Sequence, residues 1–297
     1  MNRRIIIDTD PGLDDAIAIL FALTSGRFDV AGITTVAGNI GLERTTHNAG
    51  GLLTMLGRSD IPVLAGASAA MLRNNIDALV IHGSDGLRGL TLPEPLVPPR
   101  GGAVTWMAET LRQAPSGSVD ILALGPLTNI GKLINQHPDA ADRIGTLVCM
   151  GGTIHEPGNA GPGSEFNFAS DPEATAMVLH AALRTIVIPL DVTRKVRADE
   201  AYVEALRGTT AGDMAADLLR AYWQDGKLSR PLHDPCVMLF ALAPDLFELE
   251  MRRVSVDLSD GPDAGGLIEH GDAGQPVSIA MRVDAPAALA LLASGFR

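Results

Sequence analysis

Arg3-Arg4-Ile5-Ile6-Ile7-Asp8-Thr9-Asp10-Pro11-Gly12-Leu13-Asp14-Asp15 is the stretch on which the fold turns. A β-branched run ends in acids, a tight turn follows, and an apolar pattern of helical length begins at Leu13. Pro11-Gly12 suits that turn, because proline presets one backbone angle and glycine tolerates the rest. Arg3–Asp8 therefore predicts a strand and Leu13–Ser25 a helix. A strand feeding a helix through so short a turn is the first half of a β-α-β unit.

The alternation continues outward from there. Strands are expected at Phe28–Val36, Pro62–Ala65, Val119–Leu124, Gly145–Met150 and Arg184–Pro189. Between and after them, helices are expected at Leu42–Leu56, Val104–Gln113, Leu127–Asn135, Pro172–His180, Ala211–Asp225 and Pro235–Ala243. Met251–Asp257 and Val277–Val283 read as late strands and Ala285–Ser294 as a closing helix. Strands spaced by helices imply right-handed crossovers and parallel pairing. Runs such as Ile121-Leu122-Ala123-Leu124 suit strands buried on both faces. The expected fold is α/β: a mostly parallel open sheet flanked by helices, with a Rossmann-like core. Its site should lie at the carboxyl ends of the strands, near a switch in strand order. No internal repeat or linker interrupts the pattern, so residues 1–297 read as one domain. Leu72–Pro98, Gly151–Ser170 and the segment from Tyr222 to Pro231 are long loops, which in such a domain are usually functional.

Composition narrows the function. A chain of 297 residues with 46% hydrophobic and 20% charged residues is globular. Its net charge of −12 argues against nucleic acid as a partner, since phosphate backbones need basic patches. The two cysteines, Cys149 and Cys236, form neither a metal-ligand pair nor a disulfide framework, which fits a reducing, cytoplasmic setting. Ile5-Ile6-Ile7 is too short for the apolar core of a signal peptide, and no run approaches the ~18 apolar residues of a membrane span.

Chemistry gathers at the strand ends. Asp10 closes the first strand, and Asp14 and Asp15 open the helix that follows. Carboxylates this close repel one another unless they are protonated or share a cation. Hard oxygen donors suit Ca²⁺ or Mg²⁺. Asp8 lies nearer the strand interior and reads as a structural neighbour. Other strand ends offer Asn39, the backbone carbonyl of Leu124, and Met150 with the loop behind it, which carries Asn159, Glu165 and Asn167. Asp234, between His233 and Pro235, can be a helix cap or a ligand, and Asp171-Pro172 reads as a cap. His47, His137, His155, His180 and His270 read as surface residues, whereas His82 and His233 stand beside other candidates.

The ordered set resembles the inosine–uridine-preferring nucleoside hydrolase family. Asp8 to Asp15 is similar to that family's N-terminal signature. Further similarity runs through Val36-Ala37-Gly38-Asn39, His82-Gly83-Ser84-Asp85-Gly86-Leu87, Gly125-Pro126-Leu127-Thr128-Asn129, Met150-Gly151-Gly152, Glu165-Phe166-Asn167-Phe168 and Leu232-His233-Asp234-Pro235. The resemblance implies a single Ca²⁺ held by Asp10, Asp15, Asp234 and the Leu124 carbonyl, where the family often has threonine. It implies ribose contacts from Asp14, Asn39, Asn159, Glu165, Asn167 and Asp234, with Met150 lining the sugar pocket. Asp10 would then be the base that activates water, His233 the acid for the departing nucleobase and His82 its helper. The segment from Tyr222 to His233 would close over the nucleobase, with Tyr222, Trp223 and Gln224 to stack on it or hydrogen-bond to it. His233-Asp234 resembles the branch that accepts pyrimidine or broad ribonucleosides. The resemblance also implies a homodimer or homotetramer. Two other readings compete: a haloacid-dehalogenase-like phosphatase, suggested by Asp8-x-Asp10 after an apolar strand, and a non-catalytic ribose- or calcium-binding module.

Overall fold

The computed structural model describes residues 3–223, 229–271 and 275–297. In the first half of the chain the strands are β1 (Arg3–Thr9), β2 (Phe28–Thr35), β3 (Val63–Ala65), β4 (Arg100–Gly101), β5 (Val119–Ala123) and β6 (Ile144–Met150). In the second half they are β7 (Thr185–Ile188), β8 (Arg197–Asp199), β9 (Ser229–Pro231), β10 (Phe247–Val256), β11 (Leu267–Glu269) and β12 (Gln275–Val283). Ten of them form one sheet in the order β11-β10-β12-β7-β6-β5-β1-β2-β3-β4. Pairing is parallel from β4 through to β12, and antiparallel only where β10 meets β12 and β11.

The period of two along each strand sorts the isoleucines of β1 to opposite faces. Ile7 aligns with Leu122, Val148 and Ile186 across four strands, and this row joins the core that holds helix Leu13–Thr24. Ile6 turns the other way, to a second core with Ile121 and Leu147. Helix Leu13–Thr24 is buried from Leu13 to Leu23 on every side, packed against helices Thr210–Tyr222 and Pro235–Leu242. Its apolar content is therefore that of an enclosed helix rather than an amphipathic one.

The chain runs outward from β1 through β2 and β3 to β4, then returns to β5 on the other side of β1. That reversal makes the gap between β1 and β5 the switch point of the sheet, where such folds bind ligands. The expected elements are all present within a few residues. The strand expected at Met251–Asp257 begins at Phe247, and the helix expected at Ala211–Asp225 ends at Tyr222, Gln224 and Asp225 lying outside the described residues. Short elements were not anticipated, among them the antiparallel pair β8 and β9 and helix Phe166–Ser170. Among the described residues, no helix is long and apolar enough to cross a membrane.

Asn129 locks the strand ends. Its Nδ2 donates to Asp8 Oδ1 (2.8 Å) and to the Thr35 carbonyl (3.0 Å), while its Oδ1 accepts from the Ala67 amide (2.9 Å). Asp8 Oδ1 also accepts from Thr34 Oγ1 at 2.5 Å. Asp8 is thus a wholly buried carboxyl that ties β1 to β2, and burial pushes its pKa up to about 7. Asn129→Ala should lower the unfolding free energy, at about 1–3 kcal/mol for each buried partner left unpaired. A denaturant midpoint equal to wild type would show that Asn129 is not the lock.

Candidate active site

The turn Asp10–Gly12 is held by the side chain of Asp15. Its Oδ1 accepts from Thr9 Oγ1 (2.6 Å) and the Asp10 amide (3.3 Å), and its Oδ2 from the Gly12 amide and Asn39 Nδ2 (both 3.0 Å). This places Asp15 under the turn, with Asp14 beside it facing an open cavity. Asp234 comes from the distant segment before helix Pro235–Leu242 and closes on the pair. One carboxylate oxygen from each of Asp14, Asp15 and Asp234 lies within 4.8 Å of the others.

Asp10 stands next to this trio without belonging to it. Its Oδ2 accepts from the Asn39 amide (2.6 Å), and its Oδ1 is buried with no hydrogen-bond partner. Gly38 and Gly125 crowd the two oxygens so closely that a Cβ at either position would collide with the carboxylate. Burial and neighbouring acids disfavour charge on Asp10, Asp14 and Asp234. Asp10 and Asp234 are raised well above the usual carboxylate range, burial first and the other aspartates next. Asp14 is pushed to about 7, by burial and then by Asp15. Crowded oxygens with one orphaned acceptor fit a hard divalent cation.

Above the carboxylates lies a cavity of about 630 Å³. One wall carries Asn39, Leu124, Met150, Asn159, Glu165 and Asn167. Glu165 caps helix Phe166–Ser170, accepting from the amides of Asn167 (3.0 Å) and Phe168 (3.2 Å), and burial pushes its pKa to about 7. Asn159 Oδ1 accepts from the Phe166 amide (2.8 Å). Asn167 Nδ2 donates to the Leu124 carbonyl (2.7 Å), so that oxygen already has one partner.

The lining also includes His82, Tyr222 and His233. His82 Nδ1 accepts from the Leu13 amide (3.1 Å), and its ring lies 6.1 Å from that of Tyr222 at 21°. His233 Nδ1 pairs with Thr193 Oγ1 at 2.8 Å. Burial lowers the pKa of His82 to about 4, and burial with the nearby arginines Arg194, Arg197 and Arg230 lowers that of His233 to about 3.

Most expected residues therefore meet in one place. Asp10 and Asp15 sit beneath the cavity rather than on its surface, and Gln224 lies outside the described residues. The turn after β7 was missed. Asp191 accepts from the Ile154 and His155 amides (both 2.8 Å) and so pins the loop behind Met150, and Arg194 lines the cavity with Arg197 and Arg230. The strand-end rule alone pointed to that turn, since Asp191 follows β7 closely.

The family model described as inosine-uridine preferring nucleoside hydrolase matches residues 5–290. A pyrimidine-specific ribonucleoside hydrolase, RihA, of Salmonella agona is 42% identical over 266 residues, covering 86% of this chain and 85% of the relative. Among solved structures, a plant nucleoside hydrolase, PpNRh1, superposes with a TM-score of 0.91 at 30% identity, over 100% of this chain and 99% of the other. A purine-preferring ribonucleoside hydrolase from Gardnerella vaginalis also reaches 0.91, at 27% identity, over 99% and 98%.

The raised carboxyls give the stability a pH dependence with a definite sign. Asp8, Asp14 and Glu165 titrate near 7 in the folded protein, against an unfolded value near 4, and Asp10 and Asp234 are raised as well. Between those values the folded state holds more protons than the unfolded one, so stability falls as pH rises from about 4 through 7 and levels off once the groups are ionised. The two lowered histidines act oppositely below their unfolded value of about 6.5, but the raised carboxyls outnumber them. Metal-free protein should therefore lose melting temperature between about pH 5 and 7.5. A divalent cation, by binding the ionised carboxylates, should raise it more at the upper end. A flat or rising melting temperature in chelator-treated protein would contradict this.

Proposed function

The chain belongs to the inosine-uridine preferring nucleoside hydrolase family and is a nucleoside hydrolase, and from that premise we propose that it uses Ca²⁺ to hydrolyse the N-glycosidic bond of uridine-, cytidine- and inosine-type ribonucleosides, pyrimidines foremost. The observation that carries this is the trio Asp14, Asp15 and Asp234, with the orphaned Asp10 oxygen beside it, at the floor of a nucleoside-sized cavity. The pyrimidine preference is supported by the likeness to the pyrimidine-specific relative.

Asp10, Asp15, Asp234 and the Leu124 carbonyl are the proposed ligand set, and Asp14 has an oxygen within 4.8 Å of those of Asp15 and Asp234. A bound Ca²⁺ would lower the pKa of a water and hold vicinal hydroxyls. The ribose hydroxyls are held by Asp14, Asp234, Asn39, Asn159, Glu165 and Asn167, and Met150 packs against the sugar. Asp10 takes the proton of the attacking water, its free Oδ1 being the available acceptor. Positive charge develops on the ribose as the bond to the nucleobase stretches, and fixed carboxylates around it stabilise that charge. Tyr222, His82 and His233 face the nucleobase. The low pKa of His233 favours a hydrogen bond donated by a neutral imidazole over a proton held in reserve.

Cys149 and Cys236 are free, buried thiols, in keeping with the proposed cytoplasmic setting. Exposed apolar side chains such as Leu72 (80%), Val80 (83%) and Met251 (66%) give surface for the proposed homodimer or homotetramer. Light scattering on the purified protein reads the assembly, and a monomer would overturn that part.

The activity is tested by chelation and by substitution. Chelated enzyme should stop releasing ribose from uridine and recover on adding Ca²⁺. Asp10→Asn should fold but lose at least ~10²-fold in kcat, the low end of acid–base contributions. Full turnover by enzyme shown metal-free by elemental analysis, or wild-type kcat in Asp10→Asn, would refute the corresponding assignment.

A further inference from the structure

Three arginines line the cavity of a protein whose net charge is −12. Two are occupied. Arg194 pairs with Glu156 (3.2 Å) and donates to the Pro157 carbonyl (2.6 Å), and Arg197 donates to Ser229 Oγ (3.0 Å) and its carbonyl (2.8 Å). Arg230 differs. It sits on β9, its guanidinium carbon lies 5.3 Å from the centre of the Tyr222 ring, and its buried Nε has no hydrogen-bond partner. A buried guanidinium N–H without an acceptor is costly, and so it marks a place where an acceptor is meant to arrive.

The acceptor must come from the substrate, and its character follows from the layout. The carboxylate floor and the amide wall suit a cation and a sugar diol, both of which take oxygen acceptors. Arg230 stacks on Tyr222, whose ring lies against that of His82, and His233 shares the same cavity lining. The glycosidic bond that joins the two ends breaks so that its electron pair goes to the nucleobase nitrogen. A pyrimidinedione spreads that negative charge onto its two carbonyl oxygens, which are strong acceptors for a guanidinium.

We propose that Arg230 is a catalytic residue that stabilises the departing nucleobase as an anion, and that it thereby favours oxo-bases such as uracil over amino bases such as cytosine. The inference rests on the nucleoside-hydrolase reading of the cavity. The balance of the step is simple. The C1′–N1 bond breaks heterolytically, the pair and the negative charge pass to the base, and water adds at C1′ with its proton going to Asp10. The base anion later takes a proton from solvent. Cytosine has one carbonyl oxygen to offer and an amino group that repels a donor, so it gains less from Arg230.

The test compares leaving groups at fixed ribose. Arg230→Gln and Arg230→Lys are assayed with uridine, 5-fluorouridine, cytidine and p-nitrophenyl riboside. Arg230→Gln should lose about 10²–10³-fold in kcat on uridine, the range for removing one charge-stabilising donor, with a smaller change in KM. The loss should be smaller on 5-fluorouridine, whose base is a better anion, and on cytidine. On p-nitrophenyl riboside, which needs no help to leave, it should be within about threefold, because the enzyme's transition-state contacts to ribose are untouched. Arg230→Lys should recover part of the uridine rate. Equal losses on uridine and p-nitrophenyl riboside would overturn the proposal in favour of a role in folding or ribose placement. A rise in KM alone would overturn it in favour of ground-state binding. Wild-type enzyme that releases nothing from any of the four substrates would instead sink the hydrolase reading, which separates the two failures.

Discussion

Mutual repulsion among buried carboxylates is the constraint on which the rest depends. Asp10, Asp14, Asp15 and Asp234 crowd together in the interior, and burial drives protons back onto Asp10, Asp14 and Asp234. Only a rigid frame can hold such a group together. The frame is the ladder from Ile7 through Leu122 and Val148 to Ile186, with helix Leu13–Thr24 clamped over it. The turn between strand and helix has no freedom to relax, because Asp15 is bonded to the backbone on both sides of it.

The division of the cavity follows from the same arrangement. Acceptors collect where β1, β2, β5 and β6 end, because strand ends expose carbonyls and the loops there carry Asn and Glu side chains. Rings and cationic donors come from His82, from Tyr222 at the end of its helix, and from the paired strands β8 and β9. A sugar and a base have opposite needs, and the fold meets each with residues drawn from both halves of the sequence, Asp234 joining the early acids and His82 the late rings.

How much of this was legible in the sequence depended on periodicity and on local density of chemical groups. β1, helix Leu13–Thr24 and the parallel sheet were readable because apolar runs of strand and helix length alternate without ambiguity. Asp14 and Asp15 were readable because acids clustered at a tight turn are unusual enough to stand out, whereas Asp234 beside its proline read as a helix cap until the resemblance singled it out. Arg194 and Arg197 were not readable, and Arg230 only as one residue of the segment that the resemblance lays over the nucleobase. A lone arginine in a polar segment looks like surface, and only the short β8–β9 pairing, which has no periodic signal, turns Arg230 inward. The partnership of Thr193 with His233 spans forty residues and leaves no trace in spacing. Asn129 was quoted only as part of a run, and its bonds to Asp8, Thr35 and Ala67 join the ends of β1 and β2 to the loop after β3, all far from it in sequence.

The burial of helix Leu13–Thr24 on every side has a kinetic consequence. Segments that open by themselves are those with few buried contacts, and this helix has none to spare. The acids at its start are therefore not uncovered by fraying of the helix. Asp14 and Asp234 open instead onto the cavity, so a cation held by them would share its mouth with the nucleoside. Occupancy would then be ordered in time, the ion first and the sugar above it, and a bound nucleoside would act as a stopper that slows the ion's escape.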